Sequence, residues 1–225
     1  MDRICIVIGA AKDDLDREFL DRSIALRTDR KPYVYCADGG IHHARRLGLH
    51  PDKLIGDMDS AGDSFLEGAA SGIAGEIIRL PSEKDETDLF ACVKDGLEKG
   101  FRDFMLIFCT NGRIDHFMAA AAILEYLDER GATGVLLDSR NEIAFMKPGR
   151  IAVPKDTRFK YISIIPLDEE LSGITLEGMK YPLTDMTVRR PDMCLLVSNE
   201  TVGGDAALTI AKGRAMIIKS RDASK

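Results

Sequence analysis

The stretch TDLFACVKDGLEKGFRDFMLIFCTNGRIDHFMAAAAILEYLDERGATGVLLDS, Thr87 to Ser139, decides the fold. From Thr87 the apolar positions Leu89, Phe90, Val93 and Leu97 recur at helical spacing, and the pattern stops at Gly100. DFMLIFCT (103–110) is an apolar, strand-like run. From Asp115 to Arg130 the chain is rich in helix formers, with Gly131 placed as a C-terminal stop. GVLLDS (134–139) is strand-like again. Helix, strand, helix, strand predicts a mostly parallel sheet with helices on both faces.

Working outward, RICIVIGA (3–10), PYVYCADGG (32–40), KLIGDMDS (53–60) and GEIIRL (75–80) read as further strands of the same sheet. After about residue 140 the pattern changes. EIAFMKPG, RIAVP, RFKYISIIPL, MCLLVSNE, AALTIAK and RAMIIKS read as short strands punctuated by Gly and Pro, and no long helical stripe returns. AKGR (211–214) reads as a tight hairpin turn centred on Lys212-Gly213. The expected architecture is an α/β domain over residues 1–140, then a small all-β sandwich over 141–225, closely associated because no linker separates them.

A chain of 225 residues with 45% hydrophobic and 30% charged side chains has the make-up of an ordinary globular protein. Its net charge of -6 argues against a nucleic-acid or anionic-membrane partner. Cys5, Cys36, Cys92, Cys109 and Cys194 are scattered, odd in number and mostly inside apolar runs. They read as reduced core residues of a cytoplasmic protein. The start, MDRICIVIGA, is too short and too acidic for a signal peptide, and no apolar run approaches the ~18 residues of a membrane span.

In a parallel sheet, ligands bind beyond the carboxyl ends of the strands. Four expected strand ends deliver Asp38, Asp57, Asp59, Asp85, Asp88 and Asp115 to one edge, together with Lys84, Arg113 and His116. Each has a plainer reading alone. Asp57 and Asp59 suit a turn, as do Asp38 and Gly39. Asp85, Thr87 and Asp88 suit a helix start, and Asp115 suits an N-cap. His42, His43 and His116 could be ordinary solvated or half-buried histidines. Convergence favours chemistry, because six carboxylates at one edge repel unless a cation sits among them. Oxygen ligands of this kind suit Mg²⁺ with substrate phosphates. Lys84 and Arg113 would meet those phosphates, while Gly39, Gly40, Gly56 and Gly112 would let backbone approach a ligand. Metal-assisted phosphoryl transfer from a nucleotide fits this set. Neither a Walker A loop nor GxGxxG occurs.

These residues resemble the thiamine pyrophosphokinase (thiamine diphosphokinase) family along nearly the whole chain. ADGGIHHARRLGLHPDKLIGDMDS is similar to its Asp-Gly-Gly segment followed by Pro-Asp and Gly-Asp-x-Asp-Ser. EKDETD resembles its Lys-Asp-x-Thr-Asp, NGRIDH its Gly-Gly-Arg-x-Asp-His, GMKYPL (178–183) its Gly-Leu-Lys-Tyr-x-Leu, and VSNE (197–200) its Ser-Asn-Glu. The resemblance implies transfer from ATP to thiamine, giving thiamine diphosphate and AMP, with Mg²⁺. It implies a homodimer with thiamine held where the sheet domain of one subunit meets the β-sandwich of the other. Asp57, Asp59 and Asp88 become the expected metal and catalytic centre, with Asp38 close by. Lys84, Arg113 and Asp115 would line the diphosphate and nucleotide region, to which Gly39, Asp85, Thr87, Gly112 and His116 also belong. Ser198 and Asn199 would hold thiamine. Two features depart from the pattern: Phe108 and Asn111 stand where the family has glycines, and no Trp is present to stack on the pyrimidine, so a Phe, Tyr or Met must do so.

The catalytic base stays open among Asp38, Asp57, Asp59 and Asp115. Two rival functions share the donor chemistry or the fold. One is a pyrophosphokinase for another hydroxyalkyl heterocycle, such as a pterin. The other is a non-catalytic nucleotide or thiamine diphosphate sensor, which would not need so full a set of acids and bases.

Overall fold

The computed structural model describes residues 3–57, 75–81, 83, 85–204 and 206–223. Two expected site residues, Asp59 and Lys84, lie outside the described residues. The chain divides into two compact units, Met1–Ser139 and Arg140–Lys225.

The first unit is built on β1 (Cys5–Ile8), β2 (Tyr33–Ala37), β3 (Lys53–Gly56), β4 (Glu76–Arg79), β5 (Asp103–Ile107) and β6 (Thr133–Leu137). All pair in parallel, in the order β4-β3-β2-β1-β5-β6. β1 is buried at every position, as a central parallel strand covered on both faces must be. Four helices among the described residues flank the sheet: α1 (Arg17–Ala25), α2 (Ile41–Arg46), α3 (Asp88–Glu98) and α4 (Ile114–Asp128). Asp16 caps α1 by accepting from the Phe19 N–H at 2.8 Å. Thr87 caps α3 by accepting from the Phe90 N–H at 3.2 Å. α3 buries Ala91, Cys92, Val93 and Gly96; a Cβ at Gly96 would come within 2.8 Å of the Phe104 ring, so glycine sets how closely helix and sheet approach. Gly131 ends the segment after α4 at φ 67, the left-handed turn that glycine permits. α4 is capped at Arg113 without a side-chain bond, so Asp115 sits in the first turn rather than at the N-cap.

Because the strand order reverses between β1 and β5, the loops after these two strands diverge and leave a crevice at their carboxyl ends. The registers Ile8↔Cys36, Ile8↔Ile107 and Ala37↔Ile55 bring the ends of β1, β2, β3 and β5 to one level.

Among its described residues, the second unit's regular elements are strands apart from a 3-10 helix at Arg190–Leu196. One antiparallel layer is β7 (Asn141–Met146), β13 (Ala215–Ser220) and β9 (Tyr161–Pro166). The other is β11 (Leu183–Arg189), β10 (Glu170–Glu177), β12 (Ala206–Ile210) and β8 (Gly149–Val153). Leu171, Ile174, Leu176, Leu208, Ile210, Ala215 and Ile217 are among the side chains of their shared core. Each buried aliphatic side chain contributes ~1.5–3 kcal/mol.

Two local expectations are corrected here. The turn at 211–214 is not a hairpin: β12 pairs with β10 and β8, while β13 pairs with β7 and β9, so the chain crosses from one layer to the other. Residues 193–200 are not a strand. Pro191 opens a 3-10 helix, and only isolated bridges follow, Ile162↔Asn199 and Met179↔Thr201. All five cysteines are free and only Cys194 is exposed. No described helix is long and apolar enough to cross a membrane.

Candidate active site

Three carboxylates meet at the crevice. Asp38 begins a 3-10 turn directly after β2, Asp57 follows β3, and Asp88 opens α3. One oxygen from each lies within 4.8 Å of the others. Register explains the first two: Ala37 pairs with Ile55, so Asp38 comes level with Gly56. A Cβ at Gly56 would lie 2.8 Å from the Asp38 Cα, and one at Gly40 would lie 2.1 Å from the Ile8 carbonyl oxygen. These two glycines therefore serve close approach of backbone to backbone.

Asp38 is held at φ 42, a left-handed conformation that Asp tolerates better than most residues. It is buried, and its Oδ1 has no hydrogen-bond partner. Leaving a buried charged acceptor unmatched is expensive. Three converging oxygen ligands, one of them uncompensated, suit a hard divalent cation. The expected trio was Asp57, Asp59 and Asp88; the geometry brings Asp38 into the place of the third described carboxylate.

Beside the acids lies a cleft of 380 Å³, lined by Gly9, Ala10 and Ala11 after β1, Asp38, Thr87 and Asp88, and Phe108, Cys109, Asn111, Gly112, Arg113 and His116 after β5. Gly112 takes φ 100, which reserves that turn for glycine. Arg113 is 71% exposed and forks onto Asp115 through Nε at 3.1 Å and Nη2 at 2.6 Å. Its hydrogen bond with Asp115 raises the guanidinium pKa, and the same bond lowers the Asp115 carboxyl. The bond keeps Arg113 protonated and Asp115 ionised at the mouth of the cleft, a pair of zero net charge. Gly39 is buried within the 3-10 turn and does not line it.

Asp85 is not brought to the acid cluster. It lines a separate groove of 830 Å³ between α3 and α4, with Phe90, Ala119, Ile123 and Tyr126. That groove is larger, yet it is mostly apolar and gathers no set of converging ligands. Two of the converging carboxylates, Asp38 and Asp88, line the smaller cleft.

In the second unit, Asn199 is buried and its amide makes three hydrogen bonds: Oδ1 accepts from the Tyr181 N–H at 3.0 Å and the Glu200 N–H at 2.9 Å, and Nδ2 donates to the Tyr181 carbonyl at 2.8 Å. It grips the backbone on both sides of an exposed Tyr181 ring. Ser198 is exposed at φ 59, and its N–H donates to Ser163 Oγ at 3.0 Å.

The loop Gly9-Ala10-Ala11 is a lining element not among the candidate residues singled out from the sequence. Its signal was positional, not compositional: it follows the strand at which the sheet order reverses.

Comparison with known proteins places the chain in a family. Residues 25–135 match the family described as "Thiamin pyrophosphokinase, catalytic domain", and residues 149–217 match "Thiamin pyrophosphokinase, vitamin B1 binding domain". A thiamine pyrophosphokinase of Bacillus subtilis is 32% identical over 198 residues, covering 87% of this chain and 90% of that protein. The crystal structure of a B. subtilis thiamine pyrophosphokinase superposes with a TM-score of 0.86 at 28% identity, covering 99% of this chain and 100% of that one. The Geobacillus thermodenitrificans thiamin pyrophosphokinase structure gives 0.80 at 26% identity, covering 98% and 99%.

Proposed function

The chain belongs to the thiamin pyrophosphokinase family, enzymes that transfer the diphosphoryl group of ATP to thiamine, and from that premise we propose how its own residues carry the reaction. The products are thiamine diphosphate and AMP. The thiamine hydroxyl oxygen bonds to the β-phosphorus, and the bond from that phosphorus to the α,β-bridging oxygen breaks. The family uses ATP as co-substrate with a divalent metal; we assign Mg²⁺, because every donor in the cluster is a hard carboxylate oxygen. Asp38, Asp57 and Asp88 would hold it, with Asp59 contributing from the same Gly-Asp-x-Asp motif. When bound, the ion neutralises charge developing on the transferring phosphates.

The remaining work is positioning. Arg113 presents its planar fork to phosphate oxygens, and Asp115 keeps that fork at the cleft mouth. Thr87 fixes the start of α3 and thereby the place of Asp88. Gly112 gives the β5–α4 loop its turn, and His116 lines the same wall; Lys84 adds positive charge on the phosphate side. In the second unit Tyr181 is the ring that covers the thiamine pyrimidine, since it is 58% exposed and its backbone is anchored by Asn199. Ser198 offers an exposed hydroxyl nearby in sequence.

The enzyme acts as a homodimer, each site drawing residues from both chains. The exposed Met186, Leu195, Val197 and Val202 supply apolar surface for a partner. Five free cysteines suit a reducing, cytoplasmic setting.

The observation that carries this reading is the convergence of Asp38, Asp57 and Asp88 around a buried, unmatched carboxylate oxygen. The decisive assay mixes purified protein with ATP, Mg²⁺ and a panel of hydroxyalkyl heterocycles including thiamine and a pterin alcohol. AMP should form with thiamine; ADP as the sole nucleotide product rules out diphosphoryl transfer. For the dimer, Asp57→Asn subunits exchanged with Tyr181→Ala subunits should regain activity, because one site of each mixed dimer is intact. No recovery on mixing excludes shared sites.

A further inference from the structure

The loops after β1 and β5 face each other across the reversal point of the sheet. Their backbones continue the ladder past the strand ends: Gly9 N–H donates to Ile107 O at 2.8 Å and Ala11 N–H to Phe108 O at 2.9 Å. Phe108 adopts φ 57, a left-handed conformation unusual for an aromatic residue, and it is 1% exposed. Such strain persists only where the surroundings over-determine it. Here they do. The ring stacks on His43 with centroids 3.9 Å apart and planes 1° from parallel. The Arg46 guanidinium lies 5.3 Å from the Phe108 ring centre, and its Nη2 donates to the carbonyls of Asp13 at 3.0 Å and Leu15 at 3.1 Å. Burial lowers the His43 pKa, with hydrogen bonding to the backbone at Ala10 and Ala11 opposing it, so the stacked imidazole is neutral at neutral pH. On the other side of the loop, Asn111 Nδ2 donates to Asp13 Oδ2 at 3.1 Å. The Asp13 carboxylate also accepts from the Leu15 N–H at 2.7 Å and the Ser139 N–H at 2.9 Å.

We propose that Phe108, stacked on His43 and assisted by Asn111, is a positioning residue that clamps the β1–α1 loop onto the β5–α4 loop and so fixes the backbone wall of the cleft on its nucleotide side. The inference rests on the cleft being the nucleotide site. It goes beyond that reading in assigning the wall's rigidity to side chains at two positions where glycines stand in the family pattern. A phosphate-bearing ligand that depends on backbone groups at 9–11 binds well only when that wall is already in place, and a displacement of ~1 Å can cost ~100-fold in rate.

The test pairs hydrogen exchange in the free protein with ligand titration. Amide exchange at Gly9 and Ala11 is followed in wild type, Phe108→Gly, Phe108→Leu, Phe108→Tyr and His43→Ala. Dissociation constants are measured for a non-hydrolysable ATP analogue and, separately, for thiamine. Phe108→Tyr keeps a ring to stack on His43 and should exchange at Ala11 more slowly than Phe108→Leu. Phe108→Gly, Phe108→Leu and His43→Ala should speed exchange at Ala11 and weaken the analogue about tenfold, within the range such misplacement produces, while thiamine binding holds. Phe108→Leu keeps an apolar filler without a ring; if it behaves as wild type in both readouts, the ring is filler and the proposal falls. Unchanged Ala11 exchange in His43→Ala also overturns it, and this variant serves should Phe108→Gly not fold. A wild-type protein that ignores the ATP analogue counts against the nucleotide reading, and exchange then decides the clamp by itself.

Discussion

The two units treat their buried polar groups in opposite ways. In the second unit every buried side-chain polar atom among the described residues has a partner. Asn199 makes three hydrogen bonds to the backbone of Tyr181 and Glu200, and Arg158 is sunk between Glu142 and Asp156 at 2.8 and 2.7 Å. In the first unit Asp38 Oδ1 and Thr110 Oγ1, in segments that follow sheet strands, and Arg27 Nε, after α1, are buried and unmatched. That unit can satisfy buried charge when nothing is to be bound: at the opposite ends of the strands, Lys53 is 3% exposed and pairs with Asp95 at 2.7 Å, and Tyr35 also donates to Asp95. Of the unmatched atoms, Asp38 Oδ1 is the one that sits among converging carboxylates. The β unit, fully matched, is a scaffold that presents an exposed ring.

The sharpest way to break this contrast is Asp38→Asn. It removes charge from the cluster at nearly constant shape, so turnover should fall by about 10²–10³, with the melting temperature unchanged or higher because an unmatched buried charge is gone. Normal turnover and an unaltered Mg²⁺ dependence would falsify a metal role for the cluster.

Lys53→Met probes the matched end of the same unit. It strands Asp95 without its buried partner and should cost about 3–4 kcal/mol of stability, read by denaturant unfolding. Specific activity of the remaining folded protein should stay near wild type. A larger loss of turnover than of stability contradicts the division of labour between the two strand ends.

Asn199→Ala carries the comparison into the β unit. Losing its three bonds around Tyr181 should cost about 2 kcal/mol and raise KM for thiamine more than it lowers kcat. If KM for ATP rises instead, the assignment of the exposed ring to thiamine is wrong.

The smallest expected effect is on acid stability. Burial raises the Asp156 carboxyl pKa, but hydrogen bonds from Arg158 outweigh burial and leave it below its ordinary 3.8. Asp95 is likewise lowered, with Lys53 and Tyr35 overcoming burial. A depressed carboxyl contributes stability above its unfolded value and loses it as pH falls through the folded value. The gap in stability between wild type and Asp156→Asn should therefore be full at neutral pH and shrink below pH 3.8. A gap independent of pH in that range assigns the effect to packing alone.

Legibility followed the range of the forces involved. α3 and α4 were visible because four or more apolar positions repeat within one element. α1 and α2 carried no comparable stripe, and α2 has only 6 residues. β10 and β11 were passed over because half-buried strands here alternate with charged and small residues. The turn at Lys212-Gly213 has the right chemistry for a hairpin, yet turn chemistry does not say whether the flanking strands pair with each other. At the site, Asp57, Asp88, Arg113 and Asp115 stood out as motif residues, whereas the loop Gly9-Ala10-Ala11 has no polar side chain to announce it.

The sequence by itself determined the class of each unit and the family, because periodicity, caps and short motifs act over a few residues. Tertiary structure alone decided that Asp38 joins Asp57 and Asp88, that Asp85 turns to another groove, and that Phe108 can hold a left-handed backbone. Those outcomes depend on strand register and on contacts between residues far apart in the chain. Neither exists until the sheet is assembled and Ala37 lies opposite Ile55.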